Sequence, residues 1–172
     1  MINKIIHWLI YFVLFVLIQT LVLNHIHFLR IATPFLYLYV LLKMPIGNYS
    51  TNLILSFLLG LTIDLFMGTA GMHAAACTFV SLLRNPIIKI LQGSDLPKDL
   101  YPSTYTFGMK SFFRYCFFII FIHHCTLYLI ESISFLDPLY LALRIGVSTI
   151  LTTFFVFVVE VLNPASYHNA ES

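Results

Sequence analysis

The chain has 172 residues, of which 60% are hydrophobic and 9% charged, with a net charge of +2 and a mean hydropathy of +0.93. Soluble domains carry about 25% charged residues, and so few polar side chains cannot cover a water-facing exterior. A soluble domain is therefore excluded, as are a nucleic-acid-binding patch and an acidic tail.

A membrane-spanning helix needs about 20 apolar residues. Six stretches are read as spans: 5–23, 28–43, 52–67, 72–91, 111–130 and 138–162. The first follows Lys4 and is longer than a signal-peptide core. The "NHIHFLR" after it offers no small-residue cleavage site, so it is read as a retained helix. The second is short for a full span and calls for a tilted or re-entrant path. The third places one acid, Asp64, between Gly60 and Gly68, and "GTAG" turns the chain tightly into the fourth. There Arg84–Asn85–Pro86 is predicted to end or kink the helix. A long connection, 92–110, leads to the fifth span, which carries His123 and His124. The sixth holds Arg144 towards its start and Glu160 towards its end. The fold class is thus an all-α polytopic transmembrane helix bundle, forming a single integral membrane domain over residues 1–172.

Lys and Arg in the loops set orientation. With the N-terminus inside, Lys4, Lys43, Lys89, Lys98, Lys110 and Arg114 fall on the inner side, with Arg84 near it. Arg30 and the more buried Arg144 fall on the outer side. This asymmetry, with six spans, predicts that both termini are cytoplasmic.

Gly60, Asp64 and Gly68 recur every four residues and so share one helical stripe. Small residues on such a stripe let a second helix approach closely, which turns Asp64 towards protein. A carboxylate at that depth needs a partner. Matching depths along the helices nominates His73, across the hairpin, and Arg144, on the sixth span; capping within the tight hairpin is the other reading. If the charge is paired, Asp64→Asn is milder than Asp64→Lys. His123 and His124 point 100° apart on a helix and do not converge on one metal. For Glu160 the default is an interfacial ion pair or snorkelling, with Arg84, Lys89, Lys110 and Arg114 near its level. Cys77, Cys116 and Cys125 lie in apolar segments without zinc spacing and read as core residues. Phosphate-binding glycine loops, H-E-x-x-H and G-x-S-x-G are absent from the sequence. No catalytic residue, cofactor or metal is expected.

The stretch "LLGLTIDLFMGTAGMHAAA" resembles the signature region of the MreD family of bacterial rod shape-determining membrane proteins. That region reads broadly G-x-x-x-D-x-x-x-G-x-x-G-x-H/x-A, and Gly60, Asp64, Gly68, Gly71 and Ala74 stand at those places. The resemblance implies a six-span protein of the bacterial cytoplasmic (inner) membrane, acting as a non-enzymatic scaffold of cell elongation. Its implied partners are MreC and, through it, MreB, the polymerase RodA and its transpeptidase. Gly60, Asp64, Gly68, Gly71, His73 and Arg144 are the candidate structural or partner-contact residues. Small-residue faces, Gly60–Gly68, Ala70–Ala76 and Gly146 with Ser148, Thr149, Thr152 and Thr153, are the expected partner surfaces. The alternative is a substrate-binding subunit of an energy-coupling-factor transporter, which requires a polar, aromatic-lined cavity open to the outside. A third reading makes Asp64, His73, His123 and His124 a proton relay.

Overall fold

The structure, a computed structural model, describes residues 2–23, 33–47, 49–93, 96–97, 100–132 and 137–162, with side chains from residue 9 onward. Among the described residues every regular element is a helix: α1 (Ile2–Leu21), α2 (Leu38–Leu42), α3 (Tyr49–Met67), α4 (Met72–Gln92), α5 (Thr104–Phe107), α6 (Met109–Glu131) and α7 (Pro138–Leu162). Four of them, α3, α4, α6 and α7, are long and apolar enough to cross a membrane. The chain is a helical membrane bundle.

Local sequence explains the long helices. α6 runs 23 residues without Gly or Pro. α7 starts on Pro138, where a missing N–H costs nothing. Asp137 accepts from the N–H groups of Leu139 and Tyr140 at 3.1 and 3.2 Å and caps that helix. α4 does not end at Arg84–Asn85–Pro86 but continues through Pro86 to Gln92. Neighbouring helices tolerate the lost backbone bond there. In the bundle α3 packs on α4, α4 on α6, and α6 on α7, while α1 touches α2 and α3.

The second expected span, 28–43, is a helix only over Leu38–Leu42; residues 28–32 lie outside the described residues. Before α2 the chain is non-helical and then turns through i→i+3 bonds from Leu38, Tyr39 and Val40 to Phe35, Leu36 and Tyr37. Every residue from Pro34 to Leu42 is buried. Hydropathy rules measure the length needed to bridge lipid, and this segment touches none, so a full-length helix is not required. Its direction follows from its contacts. Phe35 bonds to Thr152 and Lys43 to Glu160, so eight positions on the segment match eight on α7 and the two run parallel. Tyr37 meets His123 and Leu42 meets Tyr115, so it runs antiparallel to α6.

Candidate functional site

The α3–α4 hairpin gathers five of the six residues singled out in the sequence. Gly68 and Gly71 have φ of +68° and +80°, the left-handed region in which a side chain is strained, and they make the turn. Gly60 lies flat against α4: a Cβ added there would stand 2.4 Å from the His73 carbonyl oxygen and 2.5 Å from the Ala74 Cα. One turn further on, the Asp64 carboxylate accepts from the backbone N–H groups of His73 (3.0 Å) and Ala74 (2.8 Å) and from the Thr69 hydroxyl. These N–H groups belong to the first turn of α4, which has no intrahelical acceptors for them. The helix dipole also favours a negative charge at that end. Asp64 is therefore a cap delivered from the preceding helix, and this is what offsets its burial at 3% exposure.

The depth-matched side-chain partners are corrected by this geometry. His73 meets Asp64 through its backbone N–H, while its ring turns away to Tyr37. Arg144 pairs with Glu131 at 3.0 Å and lies over the Tyr128 ring at 4.3 Å, on the side of α7 that faces α6. Depth fixes a level along the helix but not the direction a side chain faces. The Arg144–Glu131 pair is partly exposed, and such pairs contribute about 0–1 kcal/mol. Arg144→Ala is expected to shift the unfolding midpoint of the detergent-solubilised protein by no more than a few degrees. A large loss there would require an Arg144 contact deeper in the bundle.

The larger polar assembly surrounds the second pass, residues 33–47. Its backbone groups are met by side chains from five helices, among them Asn52 of α3, which donates to the Pro45 carbonyl at 2.8 Å, as irregular backbone inside a membrane protein requires. From α1, the Gln19 amide donates to the Pro34 carbonyl at 3.1 Å and accepts from the Leu36 N–H at 2.8 Å. From α7, the Thr152 hydroxyl accepts from the Phe35 N–H at 3.0 Å. It then donates towards Nε2 of His124 at 3.4 Å, because His124 Nδ1 already donates to the Ile120 carbonyl at 2.8 Å. From α4, the Arg84 guanidinium reaches the carbonyls of Leu42 (3.3 Å), Met44 and Pro45 (3.4 Å). Tyr115, on α6, accepts from Arg84 at 2.8 Å and donates to Leu42 at 3.0 Å.

Side chains of the pass are held as well. The Tyr37 hydroxyl lies 2.8 Å from His73 Nδ1 and 3.0 Å from His123 Nε2. Having one proton, it donates to one ring and accepts from the other. Glu160 is fully buried, accepts from the Tyr39 hydroxyl at 2.8 Å and pairs with Lys43 at 2.8 Å. It also takes the Thr104 N–H at 2.9 Å, at the start of α5. The ion pair expected of Glu160 is present, but with Lys43 rather than with Arg84, Lys89, Lys110 or Arg114, and Glu160 and Arg84 are both buried against the second pass. Tyr37→Phe removes a hydroxyl shared by two buried rings, at a cost of about 1–3 kcal/mol for a buried group left unpaired. Thermal unfolding of the variant should show that loss, and an unchanged midpoint would mean the two rings find other partners.

Sequence reasoning passes over Gln19, uses Lys43 only for orientation, and reads Tyr37 and Tyr39 as interface anchors or packing residues. An amide within an otherwise apolar run, as at Gln19, is the signal available for an interhelical bond. His123 and His124 diverge, one towards Tyr37 and the other towards Thr152. Among the described residues there is no group of three or more His, Cys, Asp or Glu able to hold a metal ion. The small-residue faces expected to bind partners are largely used within the chain: Gly60 faces α4, and Ser148, Thr149, Thr152 and Thr153 are buried.

No family model, curated protein or solved structure matches this chain. The fold and the buried polar assembly define its class, a multi-pass helical membrane protein whose interior is tied together by side-chain bonds to an irregular segment.

Proposed function

We propose that the chain is a MreD-type scaffold of bacterial cell elongation, without catalytic activity, that binds MreC and through it MreB, RodA and its transpeptidase. It lies in the cytoplasmic (inner) membrane and makes six passes, the second being the internal segment 33–47. The observation that carries this reading is the α3–α4 hairpin. The residues that resemble the MreD signature, Gly60, Asp64, Gly68, Gly71 and Ala74, act on one another at one corner. A pass running parallel to α7 supports an even number of crossings. Lys43, Lys89, Lys110 and Arg114 at the same end of the bundle support cytoplasmic termini. With Gly60 and the Ser148–Thr153 face used inside the chain, partner helices compete with lipid for large apolar side chains, such as Leu65 and Phe66 on α3 and Ile150 and Phe154 on α7.

The transporter alternative draws less support. Phe35, Tyr37, His73, His123, His124 and Tyr128 fill the centre by packing on one another rather than lining an open cavity. The relay reading is weakened as well, since Asp64 faces N–H groups and not an imidazole nitrogen. Depletion in a rod-shaped source bacterium tests the proposal. Rounded cells and co-purification of a bitopic partner with wall polymerases are expected. Unchanged shape and wall incorporation, or a vitamin carried through purification, would overturn it.

A further inference from the structure

Away from the buried assembly, the start of α6 and the end of α7 enclose an open cleft of about 560 Å³, lined by Met109, Lys110, Phe113, Arg114 and Phe157. Lys110 and Arg114 are four residues apart and so lie on one face of α6. Both are exposed, and among the described residues neither has a carboxylate partner. Arg114 bonds only to the Ser111 hydroxyl at 3.2 Å among the described contacts. The acid nearest in sequence on α7, Glu160, is turned inward onto Lys43. The remaining walls are apolar: the Phe113 and Phe157 rings meet edge to face, with centroids 5.9 Å apart.

We propose that this cleft binds an acidic phospholipid, its phosphate held by Lys110 and Arg114 and one acyl chain laid against Phe113 and Phe157. The position supplies the argument for a lipid. Lys110 is the second residue of α6, and Phe157 lies five residues before the end of α7. That puts Lys110 at headgroup level and Phe113, Arg114 and Phe157 about 6–8 Å from the helix ends at 1.5 Å per residue. The long Arg114 side chain reaches back one turn to Ser111, towards the surface. An amphiphile with an anionic head and an apolar tail matches both halves, whereas a free anion leaves the aromatic wall unused. Long cationic side chains at a helix end behave in this way at membrane surfaces.

The test uses the full chain in nanodiscs containing phosphatidylglycerol and phosphatidylcholine, read by native mass spectrometry after gradual delipidation. Wild type should retain phosphatidylglycerol over phosphatidylcholine, and Lys110→Ala with Arg114→Ala together should reduce that retention about tenfold. Lys89→Ala, an exposed cation on α4, should leave it unchanged. A photoactivatable phosphatidylglycerol on the wild-type protein should label residues 109–114 and 157, a readout that needs no variant. The proposal is overturned by absence of lipid preference in wild type, by full retention in the double variant, by an equal loss in Lys89→Ala, or by labelling elsewhere. Displacement of the lipid by inorganic phosphate or by an acidic peptide would likewise replace the lipid assignment with a phosphate or protein site.

Discussion

Gly60→Ala is expected to destabilise this protein more than any other change of a single methyl group. The added Cβ would stand 2.4–2.6 Å from backbone atoms of His73 and Ala74, which cannot rotate aside as a side chain can. Overpacking usually costs about 1–3 kcal/mol, and rigid backbone on the receiving side puts this case at the upper end or beyond. Asp64→Ala acts on the same two residues from the next turn, leaving the His73 and Ala74 N–H groups unsatisfied at about 1–3 kcal/mol each. Asp64→Asn should recover little of this. The three groups bonded to the carboxylate are donors to it, and an amide offers one oxygen and an NH₂ that opposes them. The mildness expected of Asn from charge pairing therefore does not carry over to a capping carboxylate. Because both substitutions loosen one contact, the double variant Gly60→Ala with Asp64→Ala should lose less than the two losses combined. Unfolding midpoints in detergent measure this, and strict additivity would show that α3 and α4 are held together elsewhere.

Arg84→Ala is expected to be comparably damaging for a different reason. Arg84 is 1% exposed, and its partners are the carbonyls of Leu42, Met44 and Pro45 with the Tyr115 hydroxyl. Leu42 keeps the Tyr115 hydroxyl and Pro45 keeps the Asn52 amide, whereas the Met44 carbonyl, on a fully buried residue, depends on Arg84. Removing the guanidinium costs about 1–3 kcal/mol for each buried acceptor left unpaired, in addition to the lost packing of a fully buried side chain. Arg84→Lys keeps the charge but loses the planar fork that spans several acceptors, so it should restore less than half of the stability. Protease cleavage in 43–47 should rise in Arg84→Ala at temperatures where the wild type resists. A midpoint within the error of wild type would show that the carbonyls find other donors.

How much of this was legible in the sequence depends on how local the cause is. The helices α3, α4, α6 and α7 follow from hydropathy, which acts residue by residue. The hairpin glycines follow from a four-residue spacing. The partners of Asp64 were hidden because they are backbone N–H groups, and charge-pairing arguments consider side chains. The burial of Arg84 was hidden because its acceptors come from Leu42, Met44 and Pro45, about forty positions earlier. The second pass was read as a span too short, when its length reflects enclosure by protein. The cations at one end were visible as an orientation signal, but the inward turn of Lys43 towards Glu160 needs the tertiary fold.

The internal pass also sets a schedule for biosynthesis. Apart from Gln19, the side chains that fasten it come from residues translated later: His73, Arg84, Tyr115, His123, Thr152 and Glu160. Its bonds to α7 wait for 117 to 121 further residues. At about 5–20 residues per second that is about 6–24 s on the ribosome. Throughout that interval the segment carries open backbone groups and Lys43, neither of which lipid can accommodate. It must be kept at the membrane edge or within the insertion machinery until α7 emerges. A nascent chain stalled before Pro138 would display those groups permanently and become a substrate for membrane quality-control proteases.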